Sequence, residues 1–138
     1  MLNDTNLLIY ALVNILFTGY LAQIQSTLPV YFSRYGETSS GQGFSEATLS
    51  ILFTGHIALA TVCQFPVARR LNPIRHAQGL MVSALFWGMG FILIWLVNAS
   101  GLPYLLAALA LGAMALGMVA YTPISSALVV ALAPEALR

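Results

Sequence analysis

The stretch RRLNPIRH, residues 69–76, holds three of the five arginines in a chain of 138 residues that has no lysine. Long apolar runs flank this stretch on both sides. Asn72 and Pro73 within it form a turn signal, because the residue before a proline is disfavoured in the helical region. The stretch is therefore predicted to be a short basic loop that joins two apolar segments.

The composition of the whole chain indicates a membrane protein. Hydrophobic residues make up 59% of it and charged residues only 7%, whereas soluble domains carry about 25% charged residues. Four acids and five arginines are too few to cover a water-exposed surface. The net charge of +1 is also too small to indicate nucleic acid as a partner.

Four stretches are long and apolar enough to cross a bilayer, which takes about 20 mostly apolar residues in a helix. They are predicted at about residues 6–32, 46–68, 78–97 and 103–133. Helices are expected because the bilayer core offers the backbone no hydrogen-bond partner, and no alternating barrel pattern is present. The predicted fold class is all-α: a polytopic membrane protein with a single bundle of four transmembrane helices.

The arginines predict how the chain crosses the membrane. Four crossings place Arg69, Arg70, Arg75 and Arg138 on one side and leave Arg34 alone on the other. Loops on the cytoplasmic side carry the excess of basic residues. We therefore expect a multi-pass protein of the plasma (inner) membrane with both ends in the cytoplasm, and with Arg69, Arg70 and Arg75 as topology anchors.

Enzymatic chemistry is not expected from this sequence. All four acids lie outside the apolar spans or at their ends, and no Ser/His/Asp or His/Glu arrangement is visible. No Cys/His cluster has metal-ligand spacing, so neither a metal nor a cofactor is predicted. His56 lies inside a span, where an ionisable group is a candidate for proton coupling. The alternative, which we favour because no acid lies in the membrane to pair with it, is a neutral histidine bonded to a neighbouring helix.

The first predicted span is unusually polar, and its polar side chains are candidates for lining a substrate cavity. At helical spacing they fall on two faces, one with Asn14, Thr18 and Gln25 and the other with Tyr20, Gln23 and Thr27. One face would line a watery cavity while the other makes hydrogen bonds between helices. The sequence leaves open which face does which.

The last predicted span carries an apolar stripe of Met114, Met118 and Tyr121. Methionine and aromatic side chains form an adaptable surface that suits varied ligands, or they pack against a neighbouring helix. Pro29 in the first span and Pro123 in the last are expected to break their helices. Proline-interrupted helices at corresponding positions are typical of the binding region of transporters.

Three parts of the chain together resemble a major facilitator superfamily transporter of the multidrug-efflux type. Residues 14–17 (NILF) with 23–31 (QIQSTLPVY) resemble helix seven of the twelve-helix fold, residues 64–71 (QFPVARRL) resemble the end of helix eight, and residues 121–123 (YTP) with 132–138 (LAPEALR) resemble helix ten. The family's signature loop lies in the first half, and its second-half copy is degenerate. Here Arg70 is kept but Arg69 stands at the signature Asp, so the resemblance is to the second half.

This resemblance implies a fragment: part of the C-terminal half of a transporter, with its first and fourth helices lining the cavity and its third helix peripheral. It implies secondary active transport, namely export of small drug-like molecules by alternating access. The implied partners are the small-molecule substrate, membrane lipid and the remaining helices of the same transporter. One alternative is a self-contained four-helix membrane protein with an assembly or regulatory role. Another is a small multidrug-resistance exporter, but that family needs a membrane-embedded Glu that the first helix here does not have.

Overall fold

The computed structural model describes residues 5–36, 42–71 and 76–132, and this part of the chain is helical without strands. Its helices are α1 (Thr5–Gln25), α2 (Thr27–Tyr35), α3 (Glu46–Leu71), α4 (His76–Leu96) and α5 (Pro103–Leu132). Four of them, α1, α3, α4 and α5, are long and apolar enough to cross a membrane. The all-α class and the four candidate membrane-crossing helices are therefore confirmed for the described residues.

The first span was predicted at residues 6–32 with a break at Pro29, and the structure has two helices there. The break falls at Ser26, three residues before Pro29, where the backbone stays in the helical region and the Ser26 N–H still donates to the Ala22 carbonyl at 3.1 Å. Proline has no N–H to donate, and its ring clashes with the carbonyl four residues earlier, which here belongs to Gln25, the last residue of α1. The Ser26 hydroxyl donates to the Ala22 carbonyl at 2.8 Å, so it satisfies a backbone carbonyl in the last turn of α1.

The second proline expected to break a helix does not do so. α5 is continuous through Pro123, and α3 is likewise continuous through Pro66. Of the most apolar stretch of α5, 56% is buried, whereas α3 is only 11% buried, as α1 is, and still continues through Pro66. Burial alone therefore does not account for the different outcome at Pro29.

α4 packs against α5 through one face, at positions that recur along the helix: Gly79, Ser83, Trp87, Gly90 and Ile94. Gly79 lies against Ile124, and Gly90 lies against Met114, so the two helices are antiparallel. The Ser83 hydroxyl donates to the Gly117 carbonyl at 2.7 Å. Small residues allow this close approach of the two backbones, which is a common device in membrane helix pairs.

α3 lies on another side of α5 and runs parallel to it. Ala60 of α3 packs with Ala115 and Val119 of α5, and His56 lies beside Leu111. Residue numbers in both helices therefore rise in the same direction. Alternation of this kind, with α4 antiparallel to α5 and α3 parallel to it, is what successive membrane crossings joined by short connections produce.

Aromatic rings close one end of the bundle. Phe32 of α2 stacks on Phe44 with 5.3 Å between the ring centroids, and Phe44 lies 4.9 Å from the ring of Tyr104 at the start of α5. The Phe44 N–H also donates to the Phe32 carbonyl at 2.9 Å. These contacts hold α2 to the segment that leads into α3.

The arginines at the far end of α3 mark the opposite end of the bundle. Arg69 and Arg70 are exposed in the last turn of α3. Arg75 and Arg138, the other arginines assigned to this side, lie outside the described residues, as do residues 72–74. The remaining residues of the predicted basic loop are helical, since α3 continues to Leu71 and α4 begins at His76. The side of the membrane that this end faces remains a prediction.

Candidate functional site

α1 is held against α5 by two hydrogen-bonded pairs about one turn apart. The Tyr10 hydroxyl donates to the Ser125 carbonyl at 3.0 Å and lies 2.8 Å from the Ser125 hydroxyl. The Tyr121 hydroxyl donates to Oδ1 of Asn14, and the Tyr121 ring stacks on Phe17 with 4.4 Å between the centroids. Two cavity candidates, Asn14 and Tyr121, are thus bonded to each other across a contact between helices.

The methionines of the α5 stripe also lie in helix contacts. Met114 is fully buried beneath Gly90 of α4. Met118 is half-buried. It packs against two groups of buried side chains, one that includes Trp87 of α4 and one that includes Ala60 of α3. The structure therefore places Met114, Met118 and Tyr121 in packing between helices, which was one of the two interpretations of this stripe.

The other polar candidates of the first span are exposed: Thr18, Gln23, Gln25 and Thr27. Three of them bracket the turn at Ser26, and we call residues 23–27 the polar break. Ile24 within the polar break is buried. The residues of each predicted face do not share one environment. Asn14 contacts α5, whereas Thr18 and Gln25 of the same face are exposed. Tyr20 likewise packs on α4, apart from Gln23 and Thr27.

Polar side chains of this kind are costly where they meet hydrocarbon. The Gln23 and Gln25 amides make no hydrogen bond within the described part of the chain. An amide moved from water to a purely apolar medium without a partner loses several kcal/mol, roughly 2–7 depending on the reference state. The polar break therefore requires water or another polar surface beside it, if this part of the chain lies in a membrane.

A cavity of about 450 Å³ lies between α1 and α4. Its aromatic lining residues are Phe17, Tyr20, Trp87 and Phe91, and we call this cavity the aromatic crevice. Tyr20 stacks over Trp87 and meets Phe91 edge-on, each with 5.6 Å between the centroids. Of these four residues, the sequence singled out Tyr20 alone. Phe17 and Tyr20 do share a helix face, as do Trp87 and Phe91, but nothing in the sequence states that the two faces meet.

His56 joins α3 to α5. It is buried, and its Nδ1 lies 2.8 Å from the carbonyl oxygen of Leu111. A carbonyl oxygen only accepts, so Nδ1 carries the proton in this bond. This placement is that of a histidine bonded to a neighbouring helix. Glu46, the one acid in the described part of the chain, lies in the first turn of α3, about ten residues before His56.

Metal-binding geometry is not found among the described residues, where no group of three or more His, Cys, Asp or Glu side chains comes together. Cys63 is a free thiol, half-buried on α3.

Comparison of the chain with protein families, with curated proteins and with solved structures found no match. The helices, the polar break and the aromatic crevice are therefore the observations from which a function has to be inferred.

Proposed function

We propose that this chain is part of a secondary active transporter of the major facilitator type, which exports small drug-like molecules by alternating access. The observation that carries the proposal is the polar break, residues 23–27, within an uncharged first span. Discontinuous helices with polar groups at membrane depth are typical of transporter binding regions. The resemblance of the sequence to helices seven to ten of that superfamily agrees with this assignment.

The depth of the polar break follows from helix length. Between Asp4 and Arg34, residues 5–33 carry no formal charge. The hydrocarbon core holds about 20 residues of helix. Every window of that length within residues 5–33 contains residues 14–24 and therefore Gln23, whereas Gln25 and Thr27 lie outside the windows nearest the N-terminus.

A water-filled cavity beside Gln23 explains how an exposed amide is accommodated within the span. At this depth its exposed amide is unfavourable against lipid tails, whereas substrate or water in a cavity can pair with it. We therefore assign Gln23, with its neighbours Gln25 and Thr27, to the cavity wall. Asn14 already has its partner in Tyr121, and we assign it to helix packing.

The uneven packing of the helices also supports alternating access. α3 and α4 both pack along α5, whereas α1 meets α5 through a few side chains near one end. A transporter needs a rigid part and a part that changes its contacts during the cycle. In the proposed function α3, α4 and α5 form the rigid part, and the first span faces the cavity.

An export assay on cells loaded with a neutral fluorescent dye tests the proposal. The chain is expressed alone and together with its flanking coding sequence, with and without a proton gradient. We expect gradient-dependent dye loss only when the further helices are present. A chain that is made alone, stays stable and exports nothing, with no further helices encoded beside it, would instead support the self-contained four-helix protein.

Two substitutions then separate the cavity wall from helix packing. Gln23→Ala is expected to lower export about tenfold, equivalent to about 1.4 kcal/mol, because the substrate loses a hydrogen-bonding group. Thr61→Ala is the control, since Thr61 is an exposed polar residue of another span whose hydroxyl already donates to the Ile57 carbonyl. His56→Ala is expected to leave export nearly unchanged in protein that folds. A larger loss with His56→Ala than with Gln23→Ala would contradict the assignment.

A further inference from the structure

We infer that the aromatic crevice between α1 and α4 is a binding site for a neutral, planar aromatic molecule that carries one hydrogen-bonding group. This inference goes beyond the proposed transport. The crevice lies on the α4 side of α1, and binding there requires no transport cycle. Its size of about 450 Å³ falls within the range of small-molecule sites, which is roughly 300–1,000 Å³.

The rings of the crevice favour an aromatic ligand. Tyr20, Trp87 and Phe91 meet one another at centroid distances of 5.6–6.3 Å, and Phe17 meets Tyr20 edge-on at 6.1 Å. Aromatic pairs in stacked or edge-on geometry gain about 0.5–1.5 kcal/mol beyond the burial of their area. Phe17 and Trp87 are buried, so a planar ligand makes its ring contacts mainly with the half-buried Tyr20 and Phe91, and a flexible acyl chain cannot make such contacts.

The absence of charge from the crevice favours a neutral ligand. None of its lining residues is an acid or a base apart from the weakly acidic Tyr20 phenol. An aromatic face attracts a cation by about 0.5–2 kcal/mol. Removing an unpaired ion from water costs several kcal/mol even after relaxation of the protein. The second effect is larger, so a cationic ligand is disfavoured.

The Tyr20 hydroxyl supplies one polar contact. Tyr10 of α1 and Tyr121 of α5 both donate hydrogen bonds to protein groups. The hydroxyl of Tyr20 makes none within the described part of the chain. A ligand with one hydroxyl or carbonyl group would pair with it, and the ligand class above includes that group for this reason.

The crevice differs from the rest of the surface of α4. Leu85, Met89 and Ile92 are exposed on a face that is almost wholly aliphatic, for which lipid chains are a sufficient neighbour. The crevice instead opens past Leu16 and Met81, which are 52% and 67% exposed. An apolar ligand dissolved in the membrane therefore has a route into it.

Tryptophan fluorescence measures binding directly. The chain has two tryptophans, and Trp95→Phe leaves Trp87 as the reporter within the crevice. The full chain in lipid nanodiscs is titrated with bromonaphthol, a neutral planar probe whose bromine quenches indole at close contact. We expect saturable quenching of Trp87. Quenching that rises linearly with the probe, as for simple partitioning into lipid, would overturn the inference.

A pair of glycine substitutions locates the binding. Gly88 lines the crevice and has open space where a side chain would start, and Gly19 of α1 has the same open space but does not line it. Gly88→Leu is expected to weaken binding at least about tenfold, while Gly19→Leu leaves it within about twofold. Equal effects of the two substitutions would place the probe elsewhere.

Three further comparisons test the ligand class. Tyr20→Phe, which keeps the ring, should weaken bromonaphthol and leave bromonaphthalene unchanged. A methylated bromoquinolinium cation should bind at least about tenfold more weakly than bromonaphthol. Phospholipids with brominated acyl chains should neither quench Trp87 strongly nor compete with the probe. Equal binding of the cation, displacement by the lipid, or an equal loss of both neutral probes with Tyr20→Phe would each overturn the assignment.

Discussion

The contacts that α4 and α1 make with α5 differ in kind, although all three helices are long and apolar enough to cross a membrane. α4 approaches α5 closely through glycines, and both helices bury residues along most of their length. α1 contacts α5 through two hydrogen-bonded pairs and one stacked pair of rings near one end.

This difference has a physical consequence in a membrane. Lipid tails are as apolar as leucine, so helices do not associate there through the hydrophobic effect. Close packing and hydrogen bonds provide the attraction. The α4–α5 contact therefore depends on shape along its whole length, whereas the α1–α5 contact depends on a few polar and aromatic side chains. We expect the first to be permanent and the second to be separable.

The largest effect is predicted for the glycine of α5 at the centre of the close contact. In Gly117→Ala the added carbon would lie 2.7 Å from Cδ1 of Trp87 and 3.2 Å from the Ser83 carbonyl oxygen. Trp87 is enclosed by other rings and cannot move freely. We expect the free energy of unfolding in mixed micelles to fall by about 1–3 kcal/mol.

Gly19→Ala is the matched control for this prediction, because the added carbon meets nothing within 4 Å. Its effect should lie within about 0.5 kcal/mol. If both substitutions lowered stability equally, the two regions would not differ in the way described above.

A smaller effect is predicted for the polar pair that holds α1. Asn14→Ala, Tyr121→Phe and the double variant form a cycle that isolates the Asn14–Tyr121 hydrogen bond. We expect a coupling of about 0.5–1.7 kcal/mol, the range for hydrogen bonds between membrane helices. Unfolding in mixed micelles measures it. Strictly additive effects would mean that this bond does not hold α1 to α5.

The smallest effect on stability is predicted for Pro29→Ala. The substitution restores a backbone N–H and removes the ring from the Gln25 carbonyl, so α1 and α2 should join into one helix. Hydrogen exchange of the amides at residues 26–30 should slow, while stability changes by less than about 1 kcal/mol. Pro66→Ala is the control, since α3 is already continuous there and exchange around the polar break should not change.

The sequence was sufficient to predict most of the helices, but it predicted their first and last residues less accurately. The apolar stretches of residues 46–68, 78–97 and 103–133 lie close to α3, α4 and α5. Pro29 and Pro123 were both expected to break their helices, but only the first span is divided, and α5 continues through Pro123. A proline removes one backbone hydrogen bond in either place, and the residue type alone does not show whether the helix continues past it.

The candidate sites were predictable only in part. The polar character of the first span was visible, but the partner of each side chain was not. Asn14 and Thr18 lie one turn apart on the same predicted face, yet Asn14 is bonded to Tyr121 and Thr18 is exposed. The aromatic crevice escaped sequence reasoning because it needs two rings from each of two helices, about 70 residues apart along the chain.

The sequence by itself determined that this chain is helical and suited to a membrane, because long uncharged stretches must satisfy their backbone internally and charge is confined to the ends of these stretches. Only the tertiary structure decided that α5 is the central helix, that the basic segment at residues 69–76 begins at the end of the bundle opposite the rings of Phe32 and Phe44, and that Tyr20 faces α4. The reason is that hydropathy depends on each residue separately, whereas packing depends on which small, polar and aromatic side chains of different helices fit together.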